Sequence, residues 1–146
     1  MRIVLDTNIL ISALMSSASP SAQLFALWRT RKIVVLTTAQ QIEEIARVTR
    51  YPQVRTRIVP ALAGRLVNRL RDVAIVVDKL PQLDVSPDPD DNYLLAFAEK
   101  GQAQFLVTGD KELLSLKHHT STRIITPAAM IDVLREADSV EQRKDK

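Results

Sequence analysis

The stretch that most constrains this chain is its beginning. Ile3-Val4-Leu5 is a continuous apolar run that ends on Asp6, Thr7 and Asn8, and a helix-like segment, Ile9 to Met15, follows directly. A strand apolar on both faces has to be covered on both faces, which is the habit of parallel sheets. In an open α/β sheet, ligands sit in the crevice beyond the carboxyl ends of the strands. Asp6 is therefore expected at that crevice, and the question becomes whether other acids reach it. Taken alone, Asp6 reads equally well as a helix cap.

The rest of the chain alternates. Residues 33–36, 73–77, 104–108 and 123–125 read as further strands after residues 2–6. Ser19-Pro20 opens a helix carrying Leu24, Leu27 and Trp28, and Thr37-Thr38 caps another over 39–50, which Pro52 stops. Further helices are expected over about 60–71, over 90–100 with Gly101 beside the C-cap, around Leu113 and Leu114, and over 127–135. Residues 79–89, with Pro81, Pro87 and Pro89, and residues 118–121 read as loops, so His118-His119 is taken as loop polarity and not as a metal site. The expectation is an α/β fold of three layers, a central parallel sheet of about five strands flanked by helices. One domain over residues 1–135 is followed by a polar tail, 136–146, expected to fray.

Composition excludes several classes. Cysteine is absent, which removes disulfides and thiolate metal sites. No apolar run approaches a membrane span, and the N-terminal stretch lacks the form of a signal peptide, so a cytoplasmic protein is expected. The net charge of +3 is small, but its distribution is uneven. Between Arg47 and Arg71 lie seven arginines and no acid, whereas Asp84 to Asp91 holds four acids and no base. Solvated helix faces would account for both runs. A polyanion held by arginines and processed at carboxylates would do so too.

The acids separate by position. Asp110 follows Leu106-Val107-Thr108-Gly109 and so stands, like Asp6, just past a strand. In the helix over 39–50, Glu43 shares the polar stripe of Gln40, Arg47 and Arg50 and has an i,i+4 arginine. Glu44 lies at the edge of the apolar stripe of Ile42, Ile45, Ala46 and Val48 and leans towards the sheet. Asp88 suits an N-cap ahead of Pro89, and acids in that first turn complement the helix dipole. Asp91, however, shares the spacing of Leu94, Leu95 and Ala98 and falls on the buried stripe, while Asp90 faces solvent. Crowded carboxylates raise one another's pKa unless a cation lies between them. Oxygen ligands alone favour Mg²⁺ or Mn²⁺, ions that clamp phosphate oxygens and activate water for in-line attack. The expected reaction is phosphodiester hydrolysis, with Arg47, Arg50, Arg55 and Arg57 as candidate phosphate contacts.

The segments Val-Leu-Asp-Thr-Asn, Ile-Glu-Glu-Ile-Ala-Arg-Val-Thr-Arg-Tyr-Pro, Asp-Pro-Asp-Asp-Asn-Tyr-Leu-Leu-Ala-Phe-Ala and Leu-Val-Thr-Gly-Asp-Lys-Glu-Leu-Leu occur in this order. Together they resemble the PIN-domain nucleases, most closely the toxin components of prokaryotic toxin–antitoxin systems. The resemblance spans about residues 1–135. It implies a parallel sheet between helices and a Mg²⁺/Mn²⁺ site at Asp6, Glu44, Asp91 and Asp110. Asp6 and Asp91 would be direct ligands, with Glu44 and Asp110 acting directly or through water. Thr7 and Asn8 would orient the cluster and Thr108 would support Asp110. Asp88 and Asp90 have no matching role. A ribonuclease cutting single-stranded RNA is implied, with a small antitoxin protein and a second copy of the chain as partners.

Of two other readings, the first is rejected on its residues. A phosphorylation-receiver domain would want paired acids after the first strand and a lysine after the fifth, and this chain has one Asp and Thr126-Pro127 there. The other is a module of the same fold that binds RNA or a protein partner without turnover. Metal-dependent cleavage lost in Asp6→Asn separates it from the enzyme.

Overall fold

A computed structural model of the chain describes residues 1–86 and 88–144. Pro87 in the proline-rich loop and the last two residues of the expected tail lie outside the described residues. The chain runs β1 (Arg2–Leu5), α1 (Thr7–Ala13), α2 (Pro20–Arg29), β2 (Val34–Thr37), α3 (Ala39–Val48), α4 (Pro52–Arg55) and α5 (Pro60–Asp72). It continues β3 (Ile75–Val76), α6 (Pro89–Lys100), β4 (Phe105–Val107), α7 (Lys111–Leu116), β5 (His118–His119), β6 (Thr122–Ile125) and α8 (Pro127–Lys144). No helix among the described residues is long and apolar enough to cross a membrane.

The sheet has six strands in the order β3-β2-β1-β4-β6-β5. Every pairing is parallel except β5 with β6. Alternate residues of each strand feed different layers. Ile3, Leu5 and Val107 join a core with Leu24, Trp28, Ile45, Leu66 and Met130. Val4, Leu36 and Leu106 join a second core with Leu94, Leu95, Phe97 and Leu113. The expected covered sheet is therefore present: α6 and α7 cover one face, and α1, α2, α3, α5 and α8 supply the other.

Strand order places the site. From β1 the chain moves outward to β2 and β3, then returns to β4 on the other side of β1. Neighbouring strands whose connections depart in opposite directions leave a crevice at their carboxyl ends. Asp6 and Asp110 stand beyond the ends of β1 and β4, the two strands at that reversal.

Several local expectations are corrected. Of residues 118–121 only Thr120 and Ser121 are a turn: His118-His119 forms an antiparallel strand on β6, and Thr120 reverses the chain at φ 50°. A two-residue strand carries too little apolar pattern to be seen in sequence. The strand expected over 73–77 pairs only at Ile75–Val76. Pro52 does stop α3, but it also opens the short helix α4 as its first residue. The last helix does not end at Arg135; it runs to Lys144, because the polar residues beyond 135 are mostly good helix formers. Thr38 is the N-cap of α3 yet makes no side-chain cap bond. Gly101 caps α6 with φ −79°, so left-handed backbone is not its reason. A Cβ there would lie 2.7 Å from Leu36 Cδ1 and 3.0 Å from the Phe97 carbonyl oxygen. A side chain there would have to push aside Leu36 and Val77 in the core, so the close packing of the α6 end favours the glycine.

Candidate metal centre

Asp6 is buried, with only 9% exposure. As N-cap of α1 it accepts a long bond from the Asn8 backbone N–H, 3.5 Å, and a short one from Thr108 Oγ1, 2.8 Å. The Thr108 oxygen in turn accepts from the Asp110 backbone N–H at 3.0 Å. One buried hydroxyl thus ties the strand-end acids together, so Thr108 supports Asp6 directly and Asp110 through its main chain. Burial pushes the Asp6 carboxyl above its ordinary pKa, with the charges of Glu44 and Asp110 adding to it and the Thr108 and Asn8 bonds opposing it.

Glu44 arrives on α3, half-buried, and its Oε2 accepts from Tyr93 Oη at 2.6 Å. Tyr93 Oη also lies 3.4 Å from Thr7 Oγ1. Burial, followed by the bond to Glu44, raises the Tyr93 pKa, so the phenol stays a donor at all physiological pH. The register of α3 is held by Gln41, one turn before Glu44. Gln41 is fully buried; it accepts from Thr37 Oγ1 and donates to the Leu5 carbonyl oxygen, both at 2.7 Å. The Glu43–Arg47 ion pair expected from their spacing does not form among the described residues, as both side chains are exposed and solvated.

Asp91 sits in the first turn of α6, which Asp88 caps by accepting from the Asp90 backbone N–H at 2.9 Å. Asp90 is exposed and Asp91 is buried at 7% exposure, as the helix spacing predicts. Asp91 Oδ2 is buried and has no hydrogen-bond partner among the described residues. Its carboxyl is pushed up to about 7, first by burial and then by the charges of Asp110, Asp88 and Asp6.

The tightest grouping differs from the one expected from sequence. Asp91, Asp110 and Glu112 each offer an oxygen within 4.8 Å of the other two. Asp6 and Glu44 stand outside this trio, but Asp6 acts on Asp91 by its charge, and Glu44 acts on Asp6. Glu112 is the residue that sequence reasoning missed. In sequence it reads as a first-turn helix acid, and only the Asp110-Lys111-Glu112 spacing hints otherwise. The Glu112 backbone N–H donates to Asp110 Oδ1 at 2.8 Å as α7 begins. Asn8 contributes its main chain only; its side chain is exposed. Of the four arginines expected as phosphate contacts, Arg50 and Arg55 line one cavity, and Arg47 and Arg57 lie outside it.

An all-oxygen set with an orphaned buried carboxylate oxygen is a poor resting place for negative charge and a good one for a hard divalent cation. Residues 2–112, a span holding Asp6, Glu44, Asp91, Asp110 and Glu112, match the PIN domain family. The chain belongs to the PIN domain family. PIN domains are generally metal-dependent nucleases, and the acidic cluster of this one is compatible with metal binding. This PIN domain is also similar to an uncharacterized protein, MJ1680, of Methanocaldococcus jannaschii. The two are 28% identical over 122 residues, covering 80% of this chain and 75% of the archaeal protein.

Proposed function

We propose that this PIN domain is a Mg²⁺- or Mn²⁺-dependent ribonuclease that hydrolyses phosphodiester bonds of single-stranded RNA. The observation that carries the reading is Asp91 Oδ2, buried without a partner among the described residues, inside an acid cluster at the carboxyl edge of the sheet. Asp91, Asp110 and Glu112 would hold the ion, with Asp6 and Glu44 facing it directly or through water. A divalent ion there supplies the Lewis acidity that phosphodiester hydrolysis needs. Thr108 fixes the Asp6 carboxylate, and Tyr93 fixes that of Glu44, so both acids are oriented before any substrate arrives. Asp91, with its pKa near neutrality, gives up its proton to make the site, so ion binding strengthens as pH rises through about 7.

The resemblance in sequence supports two further parts of the proposal: a toxin role with a small antitoxin as partner, and a homodimer. The domain proposed is 1–135, acting in the cytoplasm. The test is cleavage of a labelled single-stranded RNA with Mn²⁺. The wild type is expected to cut and Asp91→Asn and Asp6→Asn not to; uncut RNA with every protein, bound equally well by all, would favour a binding module.

A further inference from the structure

Away from the acid edge, a cavity of about 310 Å³ opens among α3, α4 and α5. Arg50, Arg55 and Arg71 line it, with Thr49 and Asn68 beside them and no acid. The arginines come from three places in the fold, just past α3, the end of α4 and the last turn of α5. None forms an ion pair among the described residues. Three arginines thus line one space with no acid among them, and a phosphate there would meet only positive charge. Their planar, multidentate donors match phosphate oxygens.

Gly64 is an independent observation. It lies inside α5, where glycine is a poor helix former, and it lines the same cavity. A Cβ built on it would meet nothing within 4 Å, so no neighbour in the chain requires the glycine. What its absence of side chain provides is bare backbone on the cavity wall, the condition for close approach of a ligand.

We propose that this cavity holds a backbone phosphate of a single-stranded RNA lying across the acid edge. The proposal rests on the ribonuclease reading and deepens it. α3 links the two places: it carries Glu44, and Ala46 and the C-cap Thr49 just beyond it line the cavity. The set of phosphate-binding arginines changes accordingly: Arg71 joins Arg50 and Arg55, and Arg47 and Arg57 fall outside.

The test is binding of a labelled RNA oligonucleotide to the full chain in EDTA across a salt series, with folding checked by circular dichroism. Arg50→Gln, Arg55→Gln and Arg71→Gln should each weaken binding about five-fold and make the slope of log affinity against log salt shallower by up to ~0.7 for each phosphate no longer neutralised. Gly64→Leu, which fills the cavity without changing charge, should weaken binding as much. Arg123→Gln, exposed on β6, should change it less than two-fold. Wild-type affinity in Gly64→Leu, or an equal loss in Arg123→Gln, would overturn the proposal. Oligonucleotides with a 5′-phosphate and a 5′-hydroxyl should bind alike; a five-fold preference for the phosphate would overturn the backbone assignment in favour of a strand end. Cleavage with Mn²⁺ keeps the two readings apart. A chain that binds through the cavity without cutting retains the subsite and loses the nuclease. One that cuts, with KM unchanged in the cavity variants, loses the subsite alone.

Discussion

Asp6 and Asp91 are 9% and 7% exposed, whereas Arg50, Arg55 and Arg71 all face solvent. Asp6 is held by the buried Thr108 hydroxyl and the Asn8 main-chain N–H, and Asp110 by the main-chain N–H of Glu112, while Asp91 Oδ2 has no partner among the described residues. The arginines are held by no ion pair among the described residues. Like charges are gathered in both regions, but at different depth. At the acid edge, desolvation dominates, so protonation or a bound cation decides whether the arrangement is tolerable. On the arginine face, water and salt already screen the charges, so each contributes little alone and the group contributes to long-range attraction. The acid edge should therefore respond to single substitutions in an all-or-none way, and the arginine face in small, additive, salt-dependent steps.

The largest contrast is between Asp91→Asn and any one arginine variant. Losing the ion's charge at the reacting phosphate removes several kcal/mol, so Asp91→Asn should lower the initial cleavage rate roughly a thousand-fold. A cavity arginine should change it only a few-fold. Comparable losses in both would erase the distinction. In stability the sign reverses: without metal at pH 8, Asp91→Asn should melt higher than wild type, because one buried charge is gone.

Thr108→Val comes next. It removes the bond to Asp6 and leaves the Asp110 N–H without its acceptor. The cost should be about 1–3 kcal/mol, read as a Tm lower by several degrees, with Mn²⁺ affinity down roughly 10- to 100-fold. RNA affinity in EDTA should stay the same.

A pH series sharpens the comparison further. The Asp91 pKa is raised from 3.8 to about 7 on folding, and that of Asp6 moves in the same direction. Between those limits the folded chain keeps a proton that the unfolded chain has released, so metal-free stability should fall as pH rises from about 4 to 7. Most paired carboxylates behave in the opposite sense. Adding Mg²⁺ should raise Tm more at pH 8 than at pH 5, and an equal increase at both would contradict the assignment. The smallest effect belongs to Glu43→Gln, expected within about 0.5 kcal/mol in stability and without change in cleavage. Glu44→Gln, one residue on, should lower cleavage substantially.

Helix spacing alone separates Glu43 from Glu44 and Asp90 from Asp91, because burial follows the 3.6-residue period. Strand-end position marks Asp6 and Asp110, since a parallel sheet exposes carboxyl ends at its crevice. What sequence does not reveal involves partners far apart along the chain. Gln41 reads as an ordinary helix residue until its amide reaches the Leu5 carbonyl oxygen. Tyr93 carries no site signal in sequence until the fold brings it to Glu44, 49 residues away. Glu112 looks like a dipole acid, and its place beside Asp91 depends on α6 and α7 lying together. The arginine-lined cavity likewise exists only once α3, α4 and α5 are assembled, so in sequence nothing distinguishes Arg71, which lines it, from Arg47 and Arg57, which do not.

If the proposed site is right, these acids share one divalent ion. Crystals soaked in Mn²⁺ and measured for anomalous scattering test it without reference to any substrate. A single strong peak is expected at coordinating distance, about 2 Å, from oxygens of Asp91 and Asp110, and is expected to be absent in Asp91→Asn. A peak elsewhere on the surface, or none at saturating Mn²⁺ and pH 8, would contradict it.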